Sequence, residues 1–588
     1  MSQASLLAFV PAWVSNWLTP IWIVGVGALL GLVLVVLFWL VVLGLSRVPF
    51  VRGVAESPAR RRVAGWSLAI CVFLVLAGWT VQRYFAASPS EKALRGPANM
   101  MMALGLLAPV VLVSAFGLLS LCRPAAAREI PESVREGPLA WIGTVALALG
   151  VFGILGSLIA FQPVGILESL IRLPVVGEQQ MHCVIPPASR SGWDDPSRDP
   201  PQHPIDVRFR VSELRRLQFR SNEELTIDTR EAGEIDVDPP FRVRAGEDTI
   251  WFKQPEKTPF KDLEEVRKLY VRNYGSGDAS LEITATTLPA HPEAGSILFV
   301  ALAVLGAFFA YLFQRASMPK LTAVTLSTFK SEVAQPLFAI VLVLGIVSLV
   351  LFIFIPYNTL GEDIKVLKDS GMTLIMVLCI IEAIWAASTS VADEIEGRTA
   401  LTVLSKPIGR RSFIIGKYLG ILWTVAVLFI VLGAVFLICV AYKAIYDARE
   451  GAESEPTWQI CHFQMMGVVP GLLLAFMETA VLAAISVAIS TRLPMLANFI
   501  ICFSIYVLGH LTPLVVQSSA AMFDPVHFVA ELVATILPVL DHFNIQAAIA
   551  GGRGVPADYL GWSLVYCLLY GMISLSLALL LFEDRDLA

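Results

Sequence analysis

Runs of eighteen or more apolar residues recur along this chain. They restrict it more than any other feature, because a run of that length matches the roughly 30 Å of hydrocarbon in a bilayer. Inside hydrocarbon every backbone N–H and C=O must be paired within the segment, so such runs cross as helices. The runs predict helices at about 20–45, 63–86, 100–122, 138–161, 294–314, 334–356, 371–391, 413–442, 464–490, 495–516 and 559–582. Composition agrees: only 15% of the 588 residues are charged, where soluble domains carry roughly 25%. The fold expected is a polytopic α-helical membrane protein of about 11 transmembrane helices.

Arg and Lys in short loops set the expected orientation. Loop 46–62 carries Arg47, Arg52, Arg60, Arg61 and Arg62, and loop 392–412 carries Arg398, Lys406, Arg410 and Arg411. Both read as cytoplasmic. Counting spans from them places the N-terminus and segment 162–293 outside and the C-terminus inside. Loop 315–333, with Arg315, Lys320 and Lys330, then falls inside. The N-terminus does not read as a signal peptide, since its first basic residue is Arg47. Of the eight cysteines only Cys183 and Cys461 fall in polar segments, so no disulfide framework or zinc spacing is expected.

Segment 162–293 interrupts the apolar pattern. Pro186 to Pro204 is rich in Pro, Ser and Asp and reads as a loop. Alternating runs follow at 205–211, 225–228, 235–237, 241–243, 269–271 and 281–286. Period-2 alternation bounded by Gly, Asn and Pro predicts half-buried strands, and their number predicts an inserted, extracytoplasmic β-rich domain, sandwich-like. Such a domain is either a module that binds substrate or partner, or a structural cap.

The most informative stretch is the loop after span 371–391. It runs from an acidic cluster through Gly397 and Thr399 to a short apolar segment, Ala400–Leu404, then Ser405, Pro407, Arg410–Arg411 and Gly416–Lys417. Gly397 permits a bend and Thr399 suits a helix cap. Pro407 stops that helix, and the arginine pair sits at the membrane edge. Before it, Met318, Leu321, Val324, Phe329 and Val333 recur at near-helical spacing among Lys320, Lys330 and Glu332. A helix so patterned lies in the headgroup region, unless the segment is an ordinary connecting loop.

Together these features resemble the permeases of ABC-2 type transporters, over about 317–588. The matching positions are Glu394, Glu396, Gly397, Thr399, Leu404, Ser405, Pro407, Arg410, Gly416 and Lys417, with Arg398 separating a Gly and Thr that are often adjacent. The resemblance implies an amphipathic helix followed by six spans, and short re-entrant helices within 517–556. It implies that loop 392–412, facing solvent in the free chain, couples the membrane helices to a separate ABC ATPase subunit. It also implies export by a pair of permeases, identical or related, in a cell inner membrane of bacterial type. On this reading the site residues are Glu394, Glu396, Gly397, Thr399, Leu404, Pro407, Arg410 and Lys417.

The expected division is 1–161 as an N-terminal four-helix region, 162–293 as the β-rich domain, 294–316 as a linking helix and 317–588 as the permease. No Gly-x-x-x-x-Gly-Lys-Ser/Thr phosphate loop occurs, Gly416-Lys417 being followed by Tyr418. ATP is therefore expected in a partner, with no cofactor in this chain and no catalytic residues. Membrane lipid is an expected partner and nucleic acid is not. Two carboxylates, Glu382 and Glu478, fall inside spans, at a cost of at least about 2.5–3.5 kcal/mol each on insertion scales. They either line a polar path for substrate or are protonated and bonded to a neighbouring helix. His510, near a helix end, reads as interfacial. Two other functions stand beside the permease: a membrane-embedded enzyme, although His-Glu-x-x-His and Gly-x-Ser-x-Gly are absent, and a receptor or scaffold using 162–293. The substrate is not legible.

Overall fold

The computed structural model describes residues 11–86, 96–187, 201–229, 241–253, 260, 263–275, 277–355, 362–396, 409–451, 454–519, 528, 531–532 and 534–583. They form two compact units, one of residues 1–161 with 298–588 and one of residues 162–297.

The first unit is helical: α1 (Ala12–Arg47), α2 (Pro49–Glu56), α3 (Pro58–Ala86), α4 (Pro97–Leu121), α5 (Pro124–Arg135) and α6 (Pro138–Gly156). Helix α7 (Pro163–Arg172) belongs to the second unit. The chain then continues through α8 (Gly295–Ser317), α9 (Pro319–Val333), α10 (Pro336–Phe354), α11 (Asp363–Ala387), a π-helical turn (Ser388–Ala392) and α12 (Asp393–Glu396). It ends with α13 (Arg410–Glu450), α14 (Trp458–Met466), α15 (Val469–Ser490), α16 (Met495–Ser519), α17 (Gln546–Ala550) and α18 (Ala557–Glu583). Among the described residues eleven helices are long and apolar enough to cross a membrane, each at a run expected from the sequence. Many boundaries have one cause. Helices α2 to α7, α9 and α10 open on a proline, whose missing N–H costs nothing in a first turn.

Small residues let the helices approach closely. A Cβ added to Gly25 of α1 would lie 2.4 Å from Leu149 O and 3.0 Å from Gly153 Cα of α6. Between α5 and α6, Gly137 adopts φ +74, a left-handed conformation that favours glycine. The largest core joins α9 to α11, α13, α15 and α18 around Leu432, Phe436 and Val481. A smaller one joins α1, α4, α5, α6 and α8 around Leu139, Phe308 and Tyr311. Amphipathic α5 had no counterpart in the sequence reading, its twelve residues being too short and polar to register as a span.

The second unit is a β-sandwich of two antiparallel four-stranded sheets, ordered β1-β8-β3-β6 and β2-β7-β4-β5. The strands are β1 (Glu178–Ile185), β2 (His203–Arg210), β3 (Leu214–Ser221), β4 (Leu225–Asp228), β5 (Phe241–Val243), β6 (Asp248–Phe252), β7 (Glu265–Asn273) and β8 (Ala279–Thr287). Residues of both sheets, among them Phe209, Leu217, Phe219, Leu269 and Ile283, share one core. Helix α7 is tied to this unit by the Arg172–Glu213 ion pair and by Arg210–Glu168 at 2.7 Å. The expected strand at 235–237 lies outside the described residues.

Candidate functional site at the base of the 392–412 loop

The site begins with how α9 reaches α13. Gly416 and Gly420 stand one helical turn apart. A Cβ on Gly416 would fall 2.8 Å from Val324 Cβ, and one on Gly420 would fall 2.6 Å from Thr328 Cβ. Glycines at this spacing let two backbones approach more closely than larger side chains allow. The amphipathic helix is thereby laid along the first turns of α13, with Leu321, Val324, Thr325 and Thr328 buried in the seam.

That placement carries Glu332, at the end of α9, into the protein, where it is 1% exposed. Gln335 Nε2 donates to Glu332 Oε2 at 2.9 Å, and Thr389 Oγ1 donates to the same oxygen at 3.2 Å. Trp385 Nε1 donates to Gln335 Oε1 at 2.5 Å, fixing the amide. Thr389 sits on the π-helical turn, where one extra residue per turn re-aims the side chains that follow. Burial above all pushes the Glu332 carboxyl up to about 8; the nearby charge of Glu382 adds to this, and Thr389 and Lys417 oppose it.

Beyond the π turn, Glu394 Oε1 pairs with Lys417 Nζ at 2.5 Å. Lys417 is 5% exposed and its ammonium lies 5.5 Å from the centroid of the Phe413 ring, which in turn stacks on Phe582 of α18. The start of the loop is therefore fastened to α13 by a largely buried charge pair. In the free chain Glu394 is therefore paired within the protein, with 31% of its side chain still exposed. Arg410 opens α13 and donates to Glu583 O at 3.1 Å. Gly397, Thr399, Leu404, Ser405 and Pro407, with the expected Ala400–Leu404 helix, lie outside the described residues, as does the Glu396 side chain.

The two intramembrane carboxylates do not come together. Glu382 on α11 is buried, and its Oε2 has no hydrogen-bond partner among the described residues. Glu478 on α15 lies 3.5 Å from His510 Nε2 on α16, and the His510 ring is 4.7 Å from Tyr506. His510 thus faces a buried acid rather than only the interface. Where re-entrant helices were expected, the described residues hold a 3-10 turn at Leu540–Phe543 and α17.

Sequence reasoning missed Glu332 as a site residue, and missed Thr389, Gln335 and Gly420. Glu332 had been placed only among the polar positions of its helix. The Ser388-Thr389-Ser390 run at the end of an apolar span was the available signal for the π turn. Gly420, four residues after Gly416, was the signal for the seam. A second hub is Asn498 on α16, whose Nδ2 lies within 2.8 to 2.9 Å of the Ser388, Ser486 and Ser490 hydroxyls.

A search of curated proteins finds no match to this chain. The profile of the ABC-2 family transporter proteins matches residues 294–587, half of the chain. The match takes in α8, the α9–α13 seam, the Glu332 and Glu394 contacts and every helix that follows. This chain belongs to the ABC-2 transporter family, as a membrane permease of an ABC transporter.

Proposed function

We propose that the chain is the transmembrane subunit of an exporter powered by a separate ABC ATPase that docks on the 392–412 loop. The observation that carries this reading is the Glu394–Lys417 pair, which links the start of the loop rigidly to the first turns of α13. A push on the loop would then reach two elements together. One is α13, through Lys417. The other is α9, through the π turn, Thr389 and Glu332. Rigid elements joined by buried polar contacts pass small displacements on rather than absorbing them. The remaining loop residues, Glu396, Gly397, Thr399, Leu404 and Pro407, would form the docking surface, with Arg410 at its membrane edge. Glu382 and Glu478 are the candidate polar positions of the path.

On this reading the loop and the C-terminus are cytoplasmic, and the β-sandwich is extracytoplasmic. Two permeases, identical or related, act with two ATPases in a cell inner membrane, and ATP is used only by the partner. The test is affinity purification of the chain from its native membrane, followed by transport and ATPase assays on the complex. An ATPase subunit recovered with wild type and lost on replacing Leu404 and Thr399 by Asp supports the assignment. Stoichiometric ATPase activity of the chain alone, or full retention of the ATPase by that variant, would overturn it.

A further inference from the structure

A cavity of about 440 Å³ opens between α5 and α9, where spans α4 and α8 end. Its walls include Leu121, Ile130, Leu312 and Leu326, and its charged groups are Arg123, Arg315 and Glu129. The two arginines are held differently. Arg123 Nε donates to Ser120 O at 3.0 Å and one Nη donates to Ala316 O at 2.6 Å. Two of its five N–H groups are thus used on neutral carbonyls, which fixes the guanidinium without neutralising it. Arg315 has Glu129 at 3.7 Å, longer than a hydrogen bond, and that glutamate is more than half exposed. Arg61 is near enough for its charge to act against that of Arg123, with Glu129 as the local counterweight. Glu136, which also feels Arg315, is itself paired with Lys330, so the site still holds more positive than negative charge against its apolar walls.

We infer that this cavity binds the phosphate headgroup of an anionic phospholipid, which clamps α5 of the N-terminal region against α9 of the permease. A lipid is favoured over a soluble anion by position. The arginines lie within a turn of the ends of two membrane spans, and the leucine and isoleucine walls suit the glycerol and first methylenes below a phosphate. Guanidinium groups recognise phosphate through paired N–H donors, and basic pockets between helices at a membrane surface select anionic headgroups. A second tie between the two helical regions, Lys330 of α9 with Glu136 just after α5 at 2.7 Å, lies outside the cavity, so a bound headgroup would add to a contact already made. The inference rests on the cavity and its charges, independently of the ATPase reading.

The test uses the full chain in nanodiscs of phosphatidylcholine with added phosphatidylglycerol, read by native mass spectrometry after mild delipidation. Wild type is expected to retain one phosphatidylglycerol in at least tenfold preference to phosphatidylcholine. Arg123→Gln with Arg315→Gln is expected to lose that preference. Glu129→Gln, which removes the carboxylate paired with Arg315, is expected to raise retention severalfold. It decides the matter if the double arginine variant does not fold. Equal retention of both lipids, no change in Glu129→Gln, or displacement of the lipid by millimolar inorganic phosphate would overturn the inference, the last outcome marking a soluble-anion site.

Discussion

Spans Pro58–Phe85 and Pro97–Leu121 bury 11% and 17% of their apolar windows, whereas Asp363–Ala392 and Trp458–Ser490 bury 72% and 78%. The first pair meets through Ala69, Val111 and Ala115, and neither helix contains an Asp or Glu. The second pair carries Glu382, Glu478, Thr389 and the serines around Asn498. Lipid tails are as apolar as leucine, so burial gains little between spans that carry only apolar groups. Polar groups must be hidden and partnered. The difference therefore marks where side-chain chemistry holds helices in register, and it can be broken experimentally in four places.

The largest effect is expected from pH at Glu332. Its folded pKa, about 8, is raised above the ordinary carboxyl value of 4.5. The folded state thus binds the proton more tightly, so the stability linked to it is complete below about pH 4.5 and is lost as pH rises through about 8. Over the whole window the loss is on the order of 5 kcal/mol. Glu382, Glu394 and Lys417 are the charged groups acting on it. The apparent Tm of purified chain in detergent should fall steadily from pH 5 to 8.5, and Glu332→Gln should flatten that fall. An undiminished slope in the variant would place the titration elsewhere.

Next comes the Glu394–Lys417 pair. Glu394→Ala leaves a buried ammonium without its anion, a loss of about 3 kcal/mol for pairs of this kind. Adding Lys417→Met should return most of it, because an apolar side chain of similar length then fills the site. If the double variant is no more stable than Glu394→Ala, the two residues are not coupled in the folded chain. Transport should remain impaired in the rescued double variant, since the mechanical tie stays cut.

These residues also show what was legible beforehand. Apolar length alone located all eleven spans, because hydrocarbon thickness is a constraint that each span obeys separately. Strand alternation located β2, β4, β5, β7 and β8. It missed β3, whose register shift between Leu214 and Arg216 breaks the period-2 pattern. It also missed β1 and β6, of which β6 has no buried residue and β1 only its last, Ile185. The contacts of the loop base were out of reach for a different reason. The partner of Glu394 lies 23 residues away, and that of Glu332 lies 57 away across two spans. Nothing in local periodicity says which polar residue meets which. The family resemblance selected Glu394 and Lys417 as loop positions without indicating that they touch.

A smaller effect separates glycines in the two regions. A Cβ on Gly420 would meet Thr328 Cβ at 2.6 Å and Thr325 O at 2.9 Å, whereas one on Gly78 of α3 meets nothing within 4 Å. Gly420→Val should therefore cost about 1–3 kcal/mol through overpacking of the α9–α13 seam. Gly78→Val should stay within about 0.5 kcal/mol. Thermal unfolding of the two variants side by side checks the contrast. Equal losses would mean that α9 is not held against α13 at this seam.

The smallest effect is expected at Asn498, and it tests whether the hub is a network or a single bond. Three serine hydroxyls lie within hydrogen-bond distance of its Nδ2, but an amide nitrogen carries only two hydrogens. At any moment two serines accept and the third must find another partner. Ser388 has one, donating to Ile384 O at 2.9 Å. Removing one serine then leaves both amide hydrogens served, so Ser490→Ala should change stability by no more than a few tenths of a kcal/mol. Asn498→Leu removes the shared donor and the acceptor of the Cys502 thiol at 3.2 Å. It should cost about 1 kcal/mol, within the roughly 0.6–1.7 kcal/mol measured for polar contacts between membrane helices. Ser490→Ala in the Asn498→Leu background should then be neutral. A loss in Ser490→Ala as large as that in Asn498→Leu would show one dominant bond in place of a shared hub, and the ordering of α11, α15 and α16 would have to be assigned to packing alone.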